Sequence, residues 1–339
     1  MKVLILSKAD ILKVVDWRAA VEEVGQAFAA LAAGRANVPL RTHFPLESQE
    51  GLLLLMPGYI EGPASSTGPE GQLAVKLVSI FNHNPARGLP LIYGLVTLFE
   101  ADTGRPLALL EGATLTAIRT GAAGGAAAKY LANPQPSRLA LFGTGVQAET
   151  QLKATLAVFS DSLREARVVG RDSLKTARFA ERITAETGLP VRVAGGAAEA
   201  LEGAEIVVTA TTSYTPLFED AMLAPGAHIN GIGSYQPSMR EVPGETVSRA
   251  RLVVDAREAA LHEAGDVVIP LQEGLIGPEH IYAELGEIVL GTRPGRAGFE
   301  PGEISFFKSV GNAAQDVAIA AHIYQKARAA GIGTEVEMF

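Results

Sequence analysis

The chain has 339 residues, 47% of them hydrophobic and 19% charged, which is more than one simple core holds and predicts two compact, well-folded domains. A formal net charge of −8 opposes broad attraction to nucleic acid or anionic lipid, so the expected partner is a small molecule. The absence of cysteine excludes disulfides, thiolate nucleophiles and Cys-ligated metals and suits a reducing, cytoplasmic setting; the apolar run within residues 1–7 is too short for a signal peptide, and no stretch is long enough to span a bilayer.

Ser7 followed three residues later by Asp10 resembles a capping box. Asp16 precedes Trp17, Val21, Val24, Phe28 and Leu31 at helical spacing up to Gly34, so the chain is expected to open with helices. From Arg41 to Glu111 the apolar runs Leu52 to Met56, Leu73 to Phe81 and Leu91 to Phe99 are punctuated by Pro57-Gly58, a 62–71 loop, Pro85 to Pro90 and Thr103-Gly104. There is no room for helical crossovers, which predicts an antiparallel sheet. A helix from near Thr114 to about Ala132 carries Gly121, Gly124, Gly125 and many alanines, a surface small enough for another backbone to approach. From Arg138 strands and helices alternate, with strands at Leu139 to Phe142, Ala166 to Gly170, Val191 to Ala194, Glu205 to Ala210, Ala227 to Ile232 and Arg251 to Asp255. Six such strands describe a doubly wound parallel sheet. A last helix, about Asn312 to Ala330, is expected to cover the first sheet, giving one α+β domain of residues 1–117 plus 306–339 and one α/β domain of residues 118–305.

The strand Leu139–Phe142 runs at once into Gly143-Thr144-Gly145-Val146-Gln147-Ala148, the Gly-x-Gly-x-x-Ala turn of a Rossmann-type dinucleotide site. Gly143 permits the tight turn, Gly145 lets a pyrophosphate near the backbone, and Ala148 keeps the helix close to the sheet. Where an acidic residue would accept from a ribose 2′-hydroxyl, at the second strand's end, the chain reads Gly170-Arg171-Asp172-Ser173-Leu174-Lys175. Arg171, with Ser173 and Lys175, favours a 2′-phosphate and hence NADP(H), while Asp172 leaves NAD(H) possible. The six histidines show no metal-binding spacing, so no metal is expected, and no Gly-x-Ser-x-Gly motif is present.

Several segments in order resemble the ornithine cyclodeaminase and mu-crystallin family over nearly the whole chain. They are Val38-Pro39-Leu40-Arg41, Met56-Pro57-Gly58-Tyr59, Ala74 to Val78, Leu115 to Ala122, Phe142 to Gln147, Val208-Thr209-Ala210-Thr211, Gly231-Ile232-Gly233 and Lys308-Ser309-Val310-Gly311. The resemblance implies a homodimer joined through the first domains' sheets and an active site between the domains. It places Arg41, Lys76 and Arg119 at a substrate carboxylate, with Arg119 and Thr120 also near the cofactor phosphates, and extends the nucleotide site to Thr211, Gly233 and Ser309. The residues agree in part: Lys76 interrupts an otherwise apolar strand, where a lysine is costly unless paired with an anion, a reading favoured over strand alternation aiming it at solvent. Arg119 sits in a helix of small and apolar residues, whereas Arg41 after Pro39 reads as well as a surface residue.

By the same resemblance, true cyclodeaminases carry a water-activating aspartate where this chain has Tyr235, within Gly233-Ser234-Tyr235-Gln236-Pro237-Ser238-Met239-Arg240-Glu241. A phenol, with a pKa of about 10, is a poor base at neutral pH, which disfavours deamination. The remaining expectation is the ketimine reductase branch: reduction of Δ1-pyrroline-2-carboxylate or Δ1-piperideine-2-carboxylate to L-proline or L-pipecolate, with Lys76 as proton donor and Tyr235 shaping the pocket. Ornithine or lysine cyclodeaminase, an alanine dehydrogenase-like enzyme and a non-catalytic NADPH-binding crystallin stand as alternatives.

Overall fold

A computed structural model describes residues 2–62 and 71–338, so all but the ends of the expected 62–71 loop lie outside the described residues. The chain divides into two compact units, Met1–Arg119 with Asn312–Phe339, and Thr120–Gly311. The sequence pattern alone starts the return to the first unit at 306. Ser305–Lys308 is instead a strand of the second sheet, and the division falls after it.

The first unit opens with a strand, β1 (Lys2–Leu6), rather than a helix, because Val3, Leu4 and Leu6 are buried against the sheet. Helix α1 (Lys8–Val14) follows with the Ser7–Asp10 capping box formed in both directions, and α2 (Trp17–Ala32) starts at Asp16, whose side chain accepts from the Ala19 N–H at 3.1 Å. Strands β2 (Ala36–Asn37), β3 (Thr42–Leu46), β4 (Gly51–Glu61), β5 (Gly71–Phe81), β6 (Ile92–Glu100) and β7 (Pro106–Glu111) complete the first run. Pro57-Gly58 does not end β4. On that edge β3 pairs with residues 51–55 and β2 with residues 59–60, so the proline falls in a gap where no ladder bond is lost.

Helix α3 (Gly112–Leu131) carries the division between Arg119 and Thr120. In the second unit follow β8 (Arg138–Phe142), α4 (Val146–Val158), β9 (Glu165–Val169), α5 (Ser173–Thr187), β10 (Val191–Val193), α6 (Ala197–Leu201), β11 (Ile206–Thr209), β12 (His228–Gly231), α7 (Gly244–Arg249), β13 (Arg251–Val254), α8 (Arg257–Glu263), α9 (Gly265–Gln272), β14 (Ile281–Glu284), α10 (Leu285–Val289) and β15 (Ser305–Lys308). Its sheet runs β10-β9-β8-β11-β12-β15-β13-β14 with parallel pairing, a doubly wound order that reverses at β8 and adds β14 and β15 to the six expected strands. Both faces are buried. Leu139 and Leu141 pack with Leu152, Phe179 and Ile183 on one side, while Ala140 and Phe142 pack with Val207, Ile229 and Phe306 on the other. Each such aliphatic or aromatic side chain contributes roughly 1.5–3 kcal/mol on full burial. The small face of α3 works as its composition requires: a Cβ at Gly121 would lie 2.5 Å from the Thr150 carbonyl oxygen on α4.

The chain then returns to the first unit through α11 (Ala313–Ala330), capped by Asn312, and β16 (Thr334–Glu337). The completed sheet runs β16-β1-β7-β6-β5-β4-β2, with β3 also on β4. It is mixed rather than wholly antiparallel, because the overlooked β1 enters parallel to β7. Helix α11 packs on β4, β5, β6 and α2, so the buried face of β5 is the one carrying Gln72, Ala74 and Lys76.

Candidate active site

In the second unit the turn after β8 has the geometry its sequence predicts. Gly143 adopts φ +111°, and a Cβ there would meet the Ala210 carbonyl oxygen at 2.4 Å. Gly145 is the N-cap of α4, makes no side-chain cap bond and has open space above its Cα, while Ala148 is fully buried against the sheet. The amides of Val146 and Gln147 therefore begin a 13-residue helix uncapped by protein, which fits a pyrophosphate. Thr144 lines the same turn.

At the end of β9, a Cβ on Gly170 would fall 2.3 Å from Thr176 Oγ1. A carboxylate side chain there would require Thr176 to shift. The nearest one, Asp172, caps α5 by accepting from the Lys175 N–H at 3.0 Å, and Arg171, Ser173 and Lys175 are exposed beside it.

In the first unit Lys76 lies in the middle of the sheet, in register with Met56 on β4 and Val96 on β6, and is 2% exposed. Its Nζ donates to Asp316 Oδ2 on α11 at 2.6 Å. Arg119 Nε lies 3.3 Å from the other oxygen of Asp316, and its Nη1 donates to Gln315 Oε1 at 2.8 Å. Two cations thus share one carboxylate. Burial pulls the Lys76 ammonium down from the ordinary lysine value to about 8; Asp316 opposes the fall, and the positive charges of Arg119 and Arg41 add to it. Arg41, half-buried just ahead of β3, is close enough to be felt electrostatically. The Nε2 group of Gln315 and the Nδ2 group of Asn312 are buried with no hydrogen-bond partner among the described residues.

The remaining predicted residues are held by bonds of their own. Thr120 is buried and its carbonyl accepts from Gln151 Nε2 at 2.7 Å. Thr211 and Gly233 both bond to the Glu241 carboxylate, and Tyr235, half-exposed, stands on the loop that Glu241 closes. Ser309 is buried with its hydroxyl donated to Asp255 Oδ2 at 2.7 Å, which leaves it acceptor capacity only.

The chain matches the model of the ornithine cyclodeaminase/mu-crystallin family over residues 1–331. It belongs to that family. A Delta(1)-pyrroline-2-carboxylate reductase of Bacillus cereus is 37% identical over 335 residues, 98% of this chain and 99% of the relative. The Thermococcus litoralis Delta(1)-pyrroline-2-carboxylate reductase, solved in complex with NADH and L-proline, superposes with a TM-score of 0.89 at 40% identity, covering 98% of this chain and all of the other. An archaeal alanine dehydrogenase dimer with bound NAD superposes at 0.87 with 32% identity over the full length of both chains. By these likenesses the chain is an oxidoreductase.

Within this ornithine cyclodeaminase/mu-crystallin chain, sequence reasoning finds the cations but misses their partners. Asp316 and Gln315 sit in the alanine-rich run Ala313-Ala314-Gln315-Asp316-Val317-Ala318, and a carboxylate inside a buried helix is the same kind of signal as a lysine inside an apolar strand. Glu241, Asp266 and Lys308 escape it likewise, being scattered over a loop, a helix start and a strand end.

Proposed function

We propose that the chain reduces the C=N bond of a cyclic ketimine carboxylate, Δ1-pyrroline-2-carboxylate or Δ1-piperideine-2-carboxylate, to L-proline or L-pipecolate. NADPH is the preferred reductant and NADH a usable one. The observation that carries this reading is the convergence of buried cations: Lys76 and Arg119 both reach the carboxylate of Asp316, and Arg41 is close enough to act on Lys76 electrostatically. Cations grouped in this way suit a substrate carboxylate. The unpartnered Gln315 amide is a further donor for that group.

Bound nicotinamide supplies the hydride that reaches the imine carbon. The chain's own residues do the rest. Arg119 and Arg41 hold the carboxylate, and the Lys76 ammonium, tuned to about 8, gives the nitrogen its proton. Gly143, Thr144, Gly145, Val146 and Gln147 hold the pyrophosphate, and exposed Arg171 with Lys175 receives a 2′-phosphate. Tyr235 borders the substrate and helps exclude water. The exposed outer face of β5 and β6, with Leu77, Tyr93 and Leu95, supports a homodimer, and the cysteine-free composition supports a cytoplasmic setting.

Oxidation of NADPH and of NADH is to be followed with each cyclic ketimine, with pyruvate plus ammonia or methylamine, and alongside ammonia release from L-ornithine. The expected outcome is fastest turnover of a ketimine with NADPH. Ammonia release from ornithine without ketimine reduction would overturn the activity, and a clear NADH preference would overturn the cofactor choice alone.

A further inference from the structure

The second unit buries a charge cluster for which the chemistry above has no use. Glu241, Asp266 and Lys308 are all 0% exposed. Burying charge is costly unless every group is bonded, and here the bonds are specific. Glu241 Oε1 accepts from both the N–H and the hydroxyl of Thr211 at 2.7 Å, and its Oε2 accepts from the Gly233 N–H at 2.7 Å. Asp266 Oδ1 in turn accepts from the backbone N–H of Glu241 at 2.7 Å and of Val242 at 3.0 Å, while Lys308 Nζ donates to its Oδ2 at 3.3 Å. Burial and the neighbouring Asp266 push the Glu241 carboxyl above the usual carboxylate range; Lys308 and the Thr211 donors oppose that shift.

The placement of these bonds gives them a meaning. Thr211 follows β11, Gly233 follows β12 and Lys308 ends β15, three neighbouring strands of the parallel sheet, so the cluster lies along the carboxyl edge where doubly wound sheets bind their ligands. Position 233 has to be glycine for the carboxylate to arrive, since a Cβ there would sit 2.6 Å from Glu241 Oε1 and 2.2 Å from the Thr211 carbonyl oxygen. Ser234 adds a second latch, accepting from the Asp266 N–H at 3.0 Å and donating to the Met239 carbonyl at 2.9 Å. The loop bearing Tyr235 is thereby closed at its base. Such a sheet is built of two mononucleotide-binding halves. The turns after β8 and β9 serve the adenosine half, and the loops tied by Glu241 belong to the other.

We infer that Glu241 is a positioning residue for the nicotinamide half of the dinucleotide, its carboxylate locking the loop after β11 to the loop after β12. This rests on the dinucleotide reading given above. The test compares Glu241→Gln with the unaltered protein for binding of NADPH and of adenosine 2′,5′-bisphosphate, which lacks the nicotinamide half. In the variant an amide NH2 must face at least one of the donors that the carboxylate accepts from. The Kd for NADPH is expected to rise about tenfold while that for the bisphosphate stays within about twofold, as fits loss of a charge-assisted bond. Unchanged NADPH binding, or equal weakening of both ligands, overturns the assignment. Should the variant not fold, amide exchange in the unaltered, nucleotide-free protein decides: the Thr211 and Gly233 N–H groups are expected to exchange slowly, and rapid exchange overturns the tie. An unaltered protein that binds neither NADPH nor NADH sinks the dinucleotide reading itself, and this inference with it.

Discussion

Two buried charge groups, one in each unit, are opposite in the sign that predominates and in how fully their polar atoms are bonded. In the first, Lys76 and Arg119 converge on one carboxylate and a neighbouring amide donor, Gln315 Nε2, has no partner among the described residues. In the second, two carboxylates meet one ammonium, and backbone N–H groups make up the difference: Gly233, Glu241, Val242 and Thr211 all donate into the pair. The second group is finished as folded and so reads as architecture. The first gathers cations with an amide donor, Gln315 Nε2, still open to an acceptor, which suits a receptor for an anion. Buried ion pairs alone say little about function; polar atoms with no hydrogen-bond partner among the described residues, Gln315 Nε2 and Asp316 Oδ1 in the first group and none on Glu241, Asp266 or Lys308, separate the two here.

The comparison is tested hardest at Lys76. Lys76→Ala removes both a buried cation and the proton source, and general acid catalysis is typically worth 10²–10⁴-fold. Ketimine turnover is expected to fall by about 10³-fold, while the NADPH dissociation constant stays within about twofold because the nucleotide turn belongs to the other unit. Steady-state rates and fluorescence titration measure the two quantities separately. Near-normal turnover would remove Lys76 from the chemistry.

A second measurement uses pH. The active form carries the Lys76 ammonium, which both attracts the carboxylate and delivers the proton, so kcat/KM should be level below about 8 and fall about tenfold per pH unit above it. Asp316 raises the Lys76 value and Arg119 lowers it, so Asp316→Asn should move the falling limb to lower pH. A limb that stays put, or moves up, would mean that Asp316 does not govern the titrating group.

How much of this could be read in advance follows from how local each signal is. The turn Gly143 to Ala148 is contiguous, and its backbone requirement is written in the residue types, so both its existence and its geometry were legible. Lys76 stood out for the same reason, as a charge within an apolar strand. Its partner did not, because Asp316 lies 240 positions away and meets Lys76 only when α11 packs on β5. Glu241, Asp266 and Lys308 are similarly joined by the order of strands β11, β12 and β15, and β15 was itself missed as a four-residue strand inserted between β12 and β13. Strand β1 was lost to its brevity and to the strong helix start behind it; its partners β7 and β16 lie at sequence separations that no local pattern reports.

The smallest effect is expected at Gln315. Its Oε1 accepts from Arg119, but its Nε2 is buried without a partner among the described residues, a condition that typically costs about 1–3 kcal/mol. If that donor is reserved for the substrate carboxylate, Gln315→Met removes one charge-assisted hydrogen bond from the complex, worth about 1.5 kcal/mol, and KM for the ketimine should rise about tenfold with kcat little changed. The free protein loses the unsatisfied Nε2 group from its interior but also the Oε1 that accepts from Arg119, so the two changes offset and its melting temperature should move little. A stable variant with weaker substrate binding is what an incomplete receptor predicts. An unchanged KM together with a fall in melting temperature would instead make Gln315 a structural partner of Arg119, and would bring the first charge group closer in kind to the second.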